Sequence, residues 1–143
     1  MTRPDISFAV NHLSQFLQCP TTSHWQAIKR ILRYIKGTQN YGLLFHPSCD
    51  LLISAYSDAD WAANVDDRRS VAAYCVFLGG NLVSWSSKKQ NFVARSSTES
   101  EYRVIAHALA ELIGLTNYCR KLGLCHLHLL CCGVTMSAQK LLL

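Results

Sequence analysis

An α/β layer fold is the architecture this sequence predicts, and three features carry that expectation. Two stretches with helical spacing come first. Short apolar runs broken by turn residues follow, and then one long helical stretch leads into a last apolar run. Strands and helices in that order build a mixed sheet with flanking helices, here preceded by two helices. The chain has 143 residues, of which 50% are hydrophobic and 16% charged, enough for a folded core and unlike a disordered chain.

Taken in order, Ile6, Ala9, Val10, Leu13 and Leu17 recur at helical spacing, so a helix is expected over Asp5 to Phe16. Pro4 suits its first turn and Pro20 ends the segment. A second helix is expected from Ser23 to Lys36, with Thr21, Thr22 or Ser23 as cap and Gly37 as stop. Trp25, Ile28, Ile31, Leu32 and Ile35 form its apolar stripe. Lys29, Arg30, Arg33 and Lys36 lie largely on other faces, as a solvated basic face or one that meets phosphates.

From Tyr41 the texture changes. Tyr41 to Phe45, Leu51 to Ser57, Val71 to Leu78 and Leu82 to Ser87 read as strands. Gly79-Gly80-Asn81 is a hairpin signal, because these residues accept positive φ. A long helix is expected from Ser97 to Leu122, with Tyr102, Ile105, Ala106, Leu109, Leu112, Ile113 and Cys119 as its stripe and Gly123 as terminator. Leu127 to Cys131 reads as a fifth strand, and Thr135 to Leu143 as the start of another helix.

No apolar run reaches the roughly 18 residues of a membrane span. The start, MTRPDISFAV, lacks the apolar core of a signal peptide, so an intracellular chain, cytoplasmic or nuclear and not secreted, is expected. Cys19, Cys49, Cys75, Cys119, Cys125, Cys131 and Cys132 follow no secreted-domain spacing and are expected reduced. The net charge of +5 is a mild bias toward polyanions.

Two carboxylates stand out. Asp58 follows an apolar run, and Glu101 sits in the first turn of the long helix. A strand end and a helix start can converge in a layered sheet, and paired carboxylates there would take a hard cation such as Mg²⁺. Two such ions about 4 Å apart can activate a water and stabilise the leaving oxygen in phosphodiester cleavage. The plainer reading is that Glu99 or Glu101 complements the helix dipole, with Asp66 and Asp67 as loop acids. Cys125-His126-Leu127-His128 and Cys131-Cys132 hold zinc-capable ligands without paired C-x-x-C spacing, which suits an ordinary strand better. Ser96 or Ser97 reads as a helix cap.

Six ordered blocks, TRPDISFAVNHLSQF, HWQAIKRILRYIKGT, YSDADWA, DDRRS, VSWSSKKQ and SSTESEYR, resemble the copia-type LTR retrotransposon Pol polyprotein, through about Gly123. The resemblance implies a helical tail or connection of the reverse transcriptase over 1–37 and an RNase H-like domain over 38–143. It implies cleavage of RNA in an RNA–DNA hybrid with Mg²⁺ or Mn²⁺. Asp58 in YSDA and Glu101 in SEY match catalytic, metal-binding acids, while Asp60 and Glu99 match flanking ones. Lys88, Lys89 and Arg95, with Arg30 and Arg33, are the expected nucleic-acid contacts.

The chain also departs from that pattern. Where the family has Cys-Asp-Asn after the long helix, this chain reads Cys131-Cys132-Gly133, so Cys132 replaces the third acid. The fourth acid lies downstream in the family, beyond Leu143. A soft thiol does not substitute for a carboxylate on Mg²⁺. Val71-Ala72-Ala73 replaces Thr-Ser-Gly, and Gly114 stands where tryptophan is usual, an expected loss of core packing. These departures imply a C-terminally truncated, degenerate domain without catalysis that still binds hybrid weakly. The alternatives are an active ribonuclease using Asp60 or Glu99 as a substitute acid, and an interaction fragment with no nucleic-acid role. A sheet lacking its last strand and helix leaves apolar surface and edges uncovered, so the isolated chain is expected to be poorly soluble. Size-exclusion chromatography with thermal melting checks this; a monodisperse monomer with a sharp, reversible transition would contradict it.

Overall fold

A computed structural model describes residues 3–124 and 129–133, with side chains through 124. The chain divides into two compact units, one ending at Leu43 and the other beginning at Leu44.

In the first unit a 3₁₀ turn, Pro4–Ile6, runs into α1 (Ser7–Ser14), and α2 spans Thr22–Gly37. Thr21 caps α2: its hydroxyl accepts from the His24 N–H, and His24 Nδ1 accepts in return from the Thr21 N–H. Polar groups and rings hold the two helices together. The Arg3 guanidinium donates to the Asp5 carboxylate at 2.7 Å and to the Thr38 carbonyl at 2.8 Å, while the Tyr34 hydroxyl donates to Asp5 at 2.9 Å. The Arg3 hydrogen bond comes first among the causes that hold the Asp5 carboxyl below its ordinary value. Phe8, His12, Phe16 and His24 form a ladder of ring contacts. Ser7 is the only buried residue of α1, and α2 has none. The expected α2 stripe is therefore not a core: Trp25 and Leu32 are more than half exposed.

The second unit carries a four-stranded sheet in the order β3-β2-β1-β4. Strands β1 (Ile53–Asp60), β2 (Val71–Leu78) and β3 (Asn81–Lys89) are antiparallel neighbours, and β4 (Leu129–Gly133) runs parallel to β1. The hairpin at Gly79 and Gly80 has both glycines at positive φ, as expected. A Cβ on Gly79 would stand 2.7 Å from the Asp50 carbonyl oxygen, so no other residue fits there. Helix α3 (Ser97–Lys121) packs on the sheet and sets Leu112 against Ile53, Ala55 and Val76, with Tyr74, Leu78 and Leu115 around them.

Four expectations need correction. Tyr41 to Phe45 is not a strand, and Tyr41, Leu44 and Phe45 are exposed. The neighbouring His46 finds its backbone partners in one side chain: its N–H donates to Asn81 Oδ1 at 2.8 Å and its carbonyl accepts from Asn81 Nδ2 at 2.9 Å. Strand β1 starts later and ends later than expected, so Asp58 lies inside it. The buried stripe of α3 is Ser100, Val104, Ala108, Leu112 and Cys119, while Tyr102, Leu109 and Ile113 face outward. Small side chains at 100 and 108 let the helix lie close to the sheet, which outweighs the burial of larger ones. Gly114 is exposed with open space where a Cβ would stand, so it costs the core nothing; only the helix propensity penalty of about 1 kcal/mol remains. The expected helix over 135–143 and the Cys125–His128 ligands lie outside the described residues.

The rotated stripe is testable by paired truncation. Leu112→Ala should lower unfolding free energy by about 2–5 kcal/mol in a denaturant titration. The adjacent Ile113→Ala, at an exposed site, should change it by less than about 0.5 kcal/mol.

Candidate functional site

Strand β1 is flanked on both sides, by β2 and β4. Asp58 stands on it level with Ala73 of β2, which in turn pairs with Ser87 of β3, and all three are buried. One edge of the Asp58 carboxylate meets the backbone N–H of Ala59. Its Oδ2 oxygen is buried and has no hydrogen-bond partner. Burial pushes this carboxyl up to about 6, with smaller contributions from the charges of Asp60 and Glu101. Asp58 thus lies within electrostatic reach of both Asp60 and Glu101.

Glu101 is held by the start of α3. The Ser96 hydroxyl caps the helix by accepting from the Glu99 N–H at 3.1 Å. The Glu99 carboxylate reaches back to the Arg95 N–H at 2.7 Å and forward to Arg103 at 2.8 Å. These two partners hold Glu99 below the usual carboxylate range, the backbone N–H first. Glu99 is consequently committed to the cap. Gln90 ties this helix start to the sheet: its N–H donates to the Ser70 carbonyl at 2.8 Å and its Nε2 to the Ser100 carbonyl at 3.1 Å.

The donors suit a hard divalent cation in kind, since Asp58, Asp60 and Glu101 offer carboxylate oxygen and Asp58 Oδ2 has no protein partner. They fall short in number for a pair of ions. Among the described residues no group of three His, Cys, Asp or Glu side chains is arranged to hold a metal. Cys132 stands on β4 level with Tyr56, and Gly133 level with Ser57, just short of Asp58 along the neighbouring strand.

The basic residues are distributed over both units. Lys88 is exposed on β3, whereas Lys89 is drawn to Asp67 at 2.7 Å and so holds the 61–70 loop. Both border a groove of about 610 Å³ beside α3 that Phe92, Arg103, His107 and Glu111 also line. Arg95 is exposed in the loop before α3. Arg30 and Arg33 are exposed on α2, in the first unit.

Comparison with known proteins identifies the lineage. The chain is 50% identical over 123 residues to the "Retrovirus-related Pol polyprotein from transposon RE2" of Arabidopsis thaliana, covering 86% of this chain and 8% of that protein. It is 52% identical over 123 residues to the corresponding polyprotein from transposon RE1 of the same plant, with the same coverage of 86% and 8%. It is also 51% identical over 116 residues to "Secreted RxLR effector protein 161" of Plasmopara viticola, covering 81% of this chain and 82% of that protein. The two transposon relatives place the chain in the family of copia-type retrovirus-related Pol polyproteins. It spans only 8% of the length of the first two of these relatives. No family model matches the chain. No solved structure matches it either.

Within this Pol fragment, sequence reasoning passed over Trp61, Phe92 and Arg103. Trp61 is half exposed directly after β1, and its indole N–H donates to the Ala94 carbonyl at 3.0 Å. The Arg103 guanidinium lies 5.8 Å from the centre of the exposed Phe92 ring. The only signal in the sequence was the position of Trp61 beside the DAD acids. The link from Trp61 to Ala94 spans 33 residues and no local pattern announces it.

A pH prediction follows from Asp58. Its folded-state value is raised from 3.8 to about 6, so the folded protein binds this proton more tightly than the unfolded chain. The stability that comes with the proton is fully present below pH 3.8 and is lost as pH rises through about 6. Asp58→Asn should therefore be more stable than the unaltered chain at pH 7.5 by about 2–3 kcal/mol. The difference should vanish by pH 3.5 in parallel urea titrations.

Proposed function

We propose that this chain is the RNase H-like portion of a retrotransposon Pol polyprotein, a catalytically inactive remnant that binds RNA–DNA hybrid weakly. The observation that carries the reading is the buried, partnerless Oδ2 of Asp58 on the central strand, within electrostatic reach of Glu101 at the start of α3. A buried carboxylate without a partner is costly, and a site that receives a cation is one setting in which that cost is offset. Asp58 and Glu101 are the residues that would hold Mg²⁺ or Mn²⁺. Such an ion supplies charge stabilisation for a phosphodiester oxygen and lowers the pKa of a bound water.

The residues of the chain otherwise serve binding and orientation. Ser96 and Glu99 fix the helix start that carries Glu101, and Gln90 locks that start to the sheet. Exposed Lys88 and Arg95, with Arg30 and Arg33 of the first unit, supply charge for backbone phosphates. Loss of cleavage is inferred from the shortage of ligands. Asp60 is the one flanking acid left to assist, because Glu99 is occupied by Arg95 and Arg103. Cys132 brings sulfur where a hard ion needs oxygen.

The test is incubation of the purified chain with a labelled RNA–DNA hybrid in Mg²⁺ and in Mn²⁺, beside Asp58→Asn. The expected result is binding that weakens steeply with salt, the logarithm of the constant falling by about 0.9 per phosphate contact for each logarithm of salt. No cleavage above the variant's level is expected. Cleavage abolished in Asp58→Asn would make the chain an active ribonuclease. A folded chain with no salt-sensitive binding would refute the nucleic-acid reading.

A further inference from the structure

The half-exposed Trp61 has no part in the core, and several unrelated constraints hold it in place. Ala62, just after it, sits at φ 51°, in the left-handed region that alanine seldom adopts. The Ala62 N–H donates at 3.2 Å to the hydroxyl of Ser70, a fully buried residue. On the other side the indole N–H is bonded to Ala94, whose side chain is buried. The one polar atom of the ring is thus already satisfied, and the surface left to solvent is ring carbon. A large ring held rigidly and half exposed gains little from burial, and left-handed non-glycine backbone is found where a site imposes it.

Its surroundings define what would use that ring. Trp61 follows Asp60 directly and lies at the end of the strand that carries Asp58. Exposed Arg95 follows Ala94, the residue that holds the indole. Exposed Arg68, itself at φ 56°, belongs to the loop that Ser70 anchors. A flat apolar face beside separated cations matches a polymer of flat rings and phosphates. The neighbouring carboxylates disfavour a phosphate against the ring itself, so a base or sugar is the group that fits there.

We propose that Trp61 is a substrate-positioning residue, whose exposed face stacks on a base or sugar of a nucleic-acid strand laid past Asp58 and Glu101. The proposal rests on the nucleic-acid reading above. The bland competitor is that Trp61 only staples the 90–96 loop to the end of β1.

Equilibrium binding of a short labelled RNA–DNA hybrid to the full chain separates the two, using Trp61→Leu and Trp61→Phe with thermal melting of each. Both variants lose the indole N–H, and only Phe keeps an aromatic face. The expected result is about tenfold weaker binding for Leu and a loss within about threefold for Phe. The salt dependence should stay the same in all three proteins, because no charge is removed. Leu binding as tightly as the unaltered chain overturns the proposal and leaves the nucleic-acid reading standing. Equal losses in Leu and Phe, or a Leu variant that no longer melts cooperatively, assign the ring to packing and overturn it as well. An unaltered chain that binds no hybrid overturns both.

Discussion

The seating of α3 on β1 is the contact on which the rest of the second unit depends. Leu112 closes over Ile53, Ala55 and Val76, and the small residues Ser100 and Ala108 on the same stripe keep the helix close to the strand. This packing is nonspecific in its chemistry and specific in its geometry. It sets the rotation of the helix, and with that rotation half-buried Glu101 comes within electrostatic reach of Asp58 while Tyr102 and Ile113 are turned to solvent. Had the larger apolar residues been buried instead, the acid of the first turn would have rotated with them.

Charge in this unit is distributed unequally. Glu99 is fully engaged by Arg95 and Arg103, and Asp67 by Lys89 with Arg69 nearby. Asp58 has one backbone N–H and two acidic neighbours, with burial as the dominant influence. Pairing Glu99 and Asp67 while leaving a buried acid on an inner strand without a partner at one oxygen places the electrostatic cost at Asp58. The first unit follows a different plan. There Arg3, Asp5, Tyr34 and Thr38 form a polar clasp and a ladder of rings takes the place of a core.

Kinship with transposon Pol polyproteins fits this division of labour. This chain spans 8% of the length of the Pol polyproteins from Arabidopsis thaliana that it matches. Its basic residues are spread over both units, with Arg30 and Arg33 on α2 and Lys88 and Arg95 beside α3. Under the nucleic-acid reading proposed above, scattered cations suit a long polyanion, since each phosphate contact adds its own released counterion.

Local chemistry was legible in the sequence wherever a neighbour along the chain supplies the partner. Thr21 and Ser96 cap their helices, Gly79 and Gly80 turn the hairpin, and helices α2 and α3 fall within a residue or two of their expected bounds. These features depend on groups a few residues apart, so composition and spacing determine them. Tertiary structure alone decided the rest. Tyr41 to Phe45 has strand-forming residues, yet Asn81 supplies the backbone partners at His46. On α3 Leu112 and Cys119 are buried as expected, whereas Tyr102, Leu109 and Ile113 are exposed, because closeness of approach and not apolar size alone decides which side meets the sheet. The bond from Trp61 to Ala94, the pull of Lys89 to Asp67 and the burial of Asp58 all join segments distant in sequence. Such contacts are selected by the total packing of the unit, which no stretch of the chain holds by itself.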